Sequence, residues 1–300
     1  MQRAIKQLKQ EKNVFILAHS YQSAAVTEIA DYVGDSFQMS LAAQKTDAKT
    51  ILLCGVHFMA ETAKMLAPEK NVILANPHAG CPMAEQMEPE WIETVKAQKP
   101  GFQVVAYINT TAALKAVCDV CVTSSTAVKI VRNMPCEKIL FIPDCNLGDY
   151  VKRQVPEKEI HLLQGGCPIH AAVTAEEVQA ARRLHPNARL LVHPECIPQV
   201  LENADYIGST SGILDYAKTS PDKEFIIGTE MSITEHLQLT CPDKKFYTLS
   251  KKLLCPDMKI TTLTDVYHAL TGEGGLEITM SPDLMAKARV CIDEMIRLGN

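Results

Sequence analysis

The sequence predicts an α/β protein made of three related three-layer αβα domains, each with a small parallel sheet, set around a pseudo-threefold axis. Three observations predict it. Short β-rich runs such as "NVFILAHS", "KTILLCGV" and "NVILANP" alternate with stretches long enough for a helix, the pattern of parallel strands joined by crossover helices. No Pro/Gly/Ser-rich linker interrupts the alternation, so the parts are expected to pack tightly. The chain also aligns with itself, without gaps, at offsets of 88 and then 86 residues, which marks copied supersecondary units.

In chain order, a helix is expected over Gln2 to Lys9, and its counterparts over Glu90 to Gln98 and Ala175 to Leu184. The strand that follows runs through Ile16-Leu17-Ala18-His19-Ser20-Tyr21, which aligns with Val104-Val105-Ala106-Tyr107-Ile108-Asn109 and Leu190-Leu191-Val192-His193-Pro194-Glu195. Next, the stretch from Ala30 to Ser36 meets Cys118 to Ser124 and Ala204 to Thr210, with Asp31, Asp119 and Asp205 at identical offsets. Ile51-Leu52-Leu53 then meets Ile139-Leu140-Phe141 and Phe225-Ile226-Ile227, and Val72-Ile73-Leu74 meets Ile160-His161-Leu162 and Phe246-Tyr247-Thr248. The expected domains are 1–81, closed by the segment 256–300, then 82–167 and 168–255. Ser281-Pro282-Asp283 starts a last helix toward Leu298 that should pack on the first unit.

Composition bounds the function. With 300 residues, 47% of them hydrophobic and 22% charged, the chain can bury a large core and is long enough for several domains. The 30 basic and 35 acidic residues leave a net charge of −5, without basic runs, so no nucleic-acid or membrane surface is expected. Val14 to Ala18 is too short an apolar run for a signal core or a span. A cytoplasmic location is expected. Eleven cysteines, an odd number, then point to thiols in a reducing compartment and not to a disulfide framework.

Ligands of a parallel α/β domain bind beyond the carboxyl ends of its strands. His19 and Tyr21, Tyr107 and Asn109, and His193 and Glu195 all fall there, directly after the first strand of each unit. Ser36, Ser124 and Thr210 follow a short apolar run and are expected as N-caps of the next helix, where a carboxylate or phosphate could bind. Cys81, Cys167 and Cys255 follow the last strand of each unit at separations of 86 and 88 residues, each with a proline after it. Three converging thiolates could hold a catalytic zinc with an open position or a cubane iron-sulfur cluster with one iron free of protein ligands. Such a centre could serve an enzyme, a zinc hydrolase or an electron carrier. The polar residues beside the cysteines favour an enzyme.

Other signals are weaker. Cys118 and Cys121 form a C-x-x-C at positions held by Ala30, Val33, Ala204 and Ile207 in the other units, which are packing positions. His57 and Glu61, four residues apart, lack a third ligand and are read as a solvated helix face. No phosphate-loop or dinucleotide fingerprint is present.

The chain resembles the quinolinate synthase (NadA) family along essentially its whole length. The resemblance rests on "LAHSYQ" at 17–22, "DYVGDS" at 31–36, "GVHFMAE" at 55–61, "CPMA" at 81–84, "YINTT" at 107–111, "PDCNLG" at 143–148, "GGCPIH" at 165–170, "HPEC" at 193–196, "GST" at 208–210, "GTE" at 228–230 and "CPDMK" at 255–259. It implies condensation of iminoaspartate with dihydroxyacetone phosphate to quinolinate in NAD biosynthesis, with loss of phosphate and two waters. It also implies a [4Fe-4S] cluster on Cys81, Cys167 and Cys255 whose open iron acts as a Lewis acid. Substrate binding would fall to His19, Ser36, Tyr107, Ile108, Asn109, Ser124, His193, Pro194, Glu195 and Thr210, and proton transfer to Tyr21, His193 and Glu195. A transient contact with L-aspartate oxidase, the source of the imine, is a further implication. Departures are few. Ser20 and Asp257 stand where Asn is expected, and Leu249 and Lys252 replace the extra cysteines of a C-x-x-C-x-x-C thiol switch.

Overall fold

The computed structural model describes residues 1–299, so the closing segment expected to end at residue 300 is described up to its penultimate residue. Its strands form three sheets. The first contains β1 (Val14–His19), β2 (Tyr32–Gly34), β3 (Thr50–Cys54) and β4 (Asn71–Leu74). The second contains β5 (Gln103–Tyr107), β6 (Val120–Val122), β7 (Lys138–Ile142) and β8 (Glu159–Leu162). The third contains β9 (Arg189–Val192), β10 (Tyr206–Ile207), β11 (Glu224–Gly228) and β12 (Lys245–Thr248). In each, the first strand lies between the second and the third, the fourth flanks the third, and every one of these pairs is parallel. This is the α/β class that the alternation predicts. One strand was not legible: β13 (Leu276–Glu277) adds an antiparallel edge to β4, and two residues are too few to show a period.

The strands form because their apolar runs have two faces to bury. Phe225, Ile226 and Ile227 of β11 are fully buried, each worth about 1.5–3 kcal/mol relative to exposure. Helices are found at Gln2–Glu11, Pro89–Gln98 and Ala175–Leu184, where the repeat places them. The last of these starts with a capping box between Thr174 and Glu177, which satisfies two helix-end donors reciprocally.

Two further repeated contacts fix the entry side of the sheets. The carboxylates of Asp31, Asp119 and Asp205 accept the backbone N–H of Ile16, Val104 and Leu190 at 2.8, 2.7 and 2.7 Å. Each also meets a basic side chain: Lys9 at 2.8 Å, Lys96 at 3.3 Å and Arg182 at 2.8 Å. Lys70, Lys158 and Lys244, again 88 and 86 residues apart, donate to carbonyls at the C-terminal ends of the helices Ser36–Lys45, Ala127–Asn133 and Thr210–Thr219. Lys70 holds Ala43 and Thr46, Lys158 holds Met134 and Cys136, and Lys244 holds Ala217 and Ser220. Cations at helix C-termini offset unpaired carbonyls and the dipole.

The chain divides into two compact units. One comprises Met1–Ile92, Ile108–Cys118 and Pro256–Asp293 and contains the first sheet. Here Val266 and Leu270, on the helix Leu263–Thr271, join Ile5, Ile16 and Leu52 in one core, and Gly272 ends that helix at φ 83°, a conformation glycine adopts without strain. The other comprises Glu93–Tyr107, Asp119–Cys255 and the chain from Glu294 onward, with the second and third sheets. Its third sheet packs Leu190, Val192 and Ile226 against Val178 and Leu253. The last helix, Pro282–Gly299, begins where its start signal predicts, with Ser281 Oγ accepting the Leu284 N–H.

Candidate active site

Parallel strands end with unpaired backbone groups at their carboxyl ends, and the chemistry collects there. In the second unit, β9 delivers His193, Pro194 and Glu195, all buried, and β5 ends on Tyr107. The Tyr107 hydroxyl donates to Glu195 Oε1 at 2.7 Å. His170 Nδ1 lies 2.8 Å from Glu195 Oε2 and 3.2 Å from Cys167 Sγ, and its Nε2 lies 3.0 Å from Thr229 Oγ1. The His170 and His193 rings are 5.0 Å apart. Tyr107, Cys167, His193 and Glu195, singled out from sequence, are therefore brought together. His170 was quoted only inside a motif and given no role. Counted from the cysteines, the equivalent positions are Ala84 and Met258, so the repeat offers no signal for it.

The electrostatics follow from burial. Burial opposes charge on Glu195, but the His193 and His170 rings, with the hydrogen bonds from His170 and Tyr107, hold its carboxyl well below the usual range. Burial lowers His193 to about 4, so its ring is neutral. The Glu195 N–H donates to His193 Nδ1 at 3.3 Å, which leaves the ring proton on Nε2. His19 repeats the arrangement, accepting the Tyr21 N–H at Nδ1 over 3.1 Å. Asp144 is pushed up to about 7 by burial and then by Glu195. An ionised carboxylate flanked by a phenol, with a neutral imidazole beside it, is a proton-transfer group.

In the first unit, His19 ends β1 and is buried, and its ring meets Tyr21 edge to face at 4.6 Å. The Tyr21 carbonyl accepts from the Lys259 amine at 2.7 Å, and Gln22 Nε2 donates to the Met258 carbonyl at 2.7 Å. The segment after Cys255 thus holds the Tyr21 loop. Ile108 and Asn109 lie in a turn secured by fully buried Lys115, whose amine donates to the carbonyls of Ile108 and Thr110. Two expectations need correction here. Glu61 is half-buried and accepts the Ala112 N–H at 2.8 Å, so it supports this turn and is not a solvated side chain. The N-caps of the next helices are Asp35 and Ser209, one residue before Ser36 and Thr210, which occupy the first helical turn. Ser124 lies in a turn ahead of the helix Ala127–Asn133, whose N-cap position is held by Thr126 without a side-chain cap bond. Asp35 and Ser209 win because their side chains accept the third-position N–H while their backbones stay extended.

All eleven cysteines are free thiols. Five are half-buried, and Cys81, Cys167 and Cys255 are among them. Cys118 and Cys121 are buried, in keeping with packing positions. A half-buried thiol, neither sealed in the core nor paired as a disulfide, is chemically suited to ligate a soft metal or an iron-sulfur cluster. A second donor set, Cys167, His170 and Glu195, has its ligand atoms within 4.8 Å of one another. His170 and Glu195 already satisfy each other there, so a metal would have to displace that bond. No described helix is long and apolar enough to cross a membrane.

The family model described as quinolinate synthetase A protein matches residues 3–297. Quinolinate synthase of Caldicellulosiruptor bescii is 49% identical over 299 residues, covering 100% of this chain and 98% of the relative. That of Caldicellulosiruptor saccharolyticus is 48% identical with the same coverage, and that of Alkaliphilus metalliredigens is 47% identical over 98% and 97% of the two chains. With a family model and relatives this similar spanning its length, the chain belongs to the quinolinate synthetase A family.

Proposed function

We propose that the chain is the synthase itself, condensing iminoaspartate with dihydroxyacetone phosphate to quinolinate in the cytoplasm, with phosphate and two waters released. The observation that carries the reading is Glu195, held ionised between Tyr107 and His170 with neutral His193 adjacent, in a chain of this family. Both carbon–carbon or carbon–nitrogen bond formation and the following dehydrations require protons to be moved at carbon and oxygen. Glu195 can accept a proton, and His193 can donate from Nε2. Tyr21 joins them as the third member of the relay.

The substrates bring carboxylates and a phosphate. His19 presents an Nε2–H donor, and Asn109, Ser36, Ser124 and Thr210 supply amide and hydroxyl donors. Ser36 and Thr210 stand in the first turns of ten-residue helices, where anions are favoured. Ile108 and Pro194 are assigned to substrate contact alongside these polar groups. Cys81, Cys167 and Cys255 would hold a [4Fe-4S] cluster. When bound, it supplies an iron without a protein ligand, a Lewis acid for the hydroxyl lost in the last elimination. Contact with an aspartate oxidase would shorten the path of the unstable imine.

Metal analysis of oxygen-free protein tests the reading. About four irons and four sulfides per chain are expected; one zinc and no iron would refute it. Glu195→Gln should keep the iron and reduce quinolinate formation by about 10²–10⁴-fold, the usual contribution of a positioned acid or base. Turnover at the parent rate would remove Glu195 from the relay.

A further inference from the structure

Each of the three cysteines has its backbone N–H taken by a carboxylate. Cys81 N–H donates to Glu85 Oε1 at 3.0 Å, Cys167 N–H to Asp144 Oδ2 at 3.0 Å, and Cys255 N–H to Glu230 Oε1 at 3.4 Å. Asp144 and Glu230 are repeat equivalents, 86 residues apart. Each lies two residues beyond the end of its strand, β7 or β11. Both are fully buried, and both bridge two amides: Asp144 Oδ1 also accepts the Leu147 N–H at 2.8 Å, and Glu230 Oε2 the Ser232 N–H at 2.9 Å. The equivalent position in the first unit is Val56, and there Glu85, four residues beyond the cysteine, supplies the acceptor from the other side.

The residues before the cysteines fit the same purpose. A Cβ at Gly80 would lie 3.1 Å from Glu85 Oε1, and one at Gly166 would lie 3.1 Å from Asp144 Oδ2. Both glycines leave space for the carboxylate. Where Leu254 precedes Cys255, the bond is the longest of the three.

We propose that Glu85, Asp144 and Glu230 are positioning residues that clamp the three cysteine amides, fixing each thiol for its metal and biasing the bound cluster toward its oxidised state. The proposal rests on the cluster reading above. A ligand amide that is free to turn toward its own sulfur, or toward a neighbouring one, donates an N–H···S bond, and such bonds together with net charge set cluster potentials. Diverting all three amides to carboxylates withholds those donors. Their loss disfavours an added electron, which suits a centre that works as a Lewis acid and must not change oxidation state during turnover. Only a carboxylate offers two acceptor atoms to two amides; an Asn or Gln side chain presents one acceptor and one donor.

The test uses the full chain, anaerobically reconstituted, with Asp144→Asn, Glu230→Gln and Glu85→Gln variants. Iron content, the cluster midpoint potential and the rate of iron loss to a chelator are read for each. Asp144→Asn and Glu230→Gln should raise the reduced-to-oxidised ratio at a fixed ambient potential about tenfold or more, a shift of about 59 mV for one electron. If either variant cannot retain a cluster while its metal-free melting curve matches the parent's, the clamp on the thiol is supported directly. Exposed Glu85 can be changed without threatening the fold. Glu85→Gln should lose iron to the chelator at least threefold faster, and an unchanged rate would overturn the clamp at Cys81. A parent with no iron refutes the cluster reading itself. A parent with full iron whose variants all keep its midpoint and chelation rate refutes the clamps alone.

Discussion

The two ends of the sheets are built to different rules. At the entry side, the same residue does the same work three times: Asp31, Asp119 and Asp205 take a strand N–H, and Lys70, Lys158 and Lys244 tie down helix carbonyls. At the exit side, equivalent positions have diverged, to His19, Tyr107 and His193 in one set and to Val56, Asp144 and Glu230 in another. Every copy of the fold needs the same backbone groups satisfied, so the entry side can stay uniform. A reaction on unlike substrates needs unlike groups, so the exit side cannot. The division makes a prediction: substitutions at exits should affect chemistry with little change in stability, and those at entries the reverse.

The largest expected effect is at the exit. His170→Phe removes the ring nitrogens that hold Glu195 through Nδ1 and Thr229 through Nε2. A hydrogen bond to a charged group is worth about 1.5–3 kcal/mol, so kcat should fall roughly 10- to 100-fold. KM should stay near the parent value, because His170 acts by orienting Glu195. A variant that lost substrate affinity and kept kcat would place His170 in binding, contrary to this account.

The next effect is at the entry. Lys158→Met frees the carbonyls of Met134 and Cys136 and should cost about 1–2 kcal/mol in stability, the range for losing a charge-assisted bond at a helix end. A melting point lower by a few degrees is expected, with quinolinate formation per folded chain unchanged. Activity that falls further than the folded fraction would blur the two rules.

Much of this was legible because it repeats. Asp31, Asp119 and Asp205 and the strand registers stand out in a self-alignment, the Cys-Pro trio recurs within two residues of it, and the helix ahead of the first strand of each sheet lies where that alignment puts it. The lysines at 70, 158 and 244 carry the same offsets and could have been found the same way. Residues that serve only one copy leave no such trace. His170 has no equivalent in the other units, and Lys115 and Glu61 act on a single turn. The carboxylate clamps were hidden for a different reason. Asp144 and Glu230 reach cysteines 23 and 25 residues away along the chain, a pairing that only tertiary structure makes.

The smallest effect separates cysteines by environment. Cys54 ends β3, where Ile142 and Gly228 end the corresponding strands, so it stands at a packing position and is fully buried. Burial, and then Asp265, push its thiol up to about 12. At pH 8 only about one such thiol in 10⁴ is ionised, and the thiolate is the reactive form. Native metal-free protein treated with iodoacetamide should therefore be modified at half-buried Cys81 and Cys255 and spared at Cys54, read by peptide mass spectrometry. The linkage has a matching sign. Below pH 9 the thiol is neutral in both the folded and unfolded chain. From pH 9 toward 12 the unfolded chain alone releases the proton, so Cys54 should lower stability by about 1.4 kcal/mol per pH unit across that window, and Cys54→Ala should remove that slope. Labelling of Cys54 as fast as Cys81 would mean that this strand exit opens as readily as the segments that hold Cys81 and Cys255, and the distinction between a buried packing thiol and a half-buried one would fail at its simplest point.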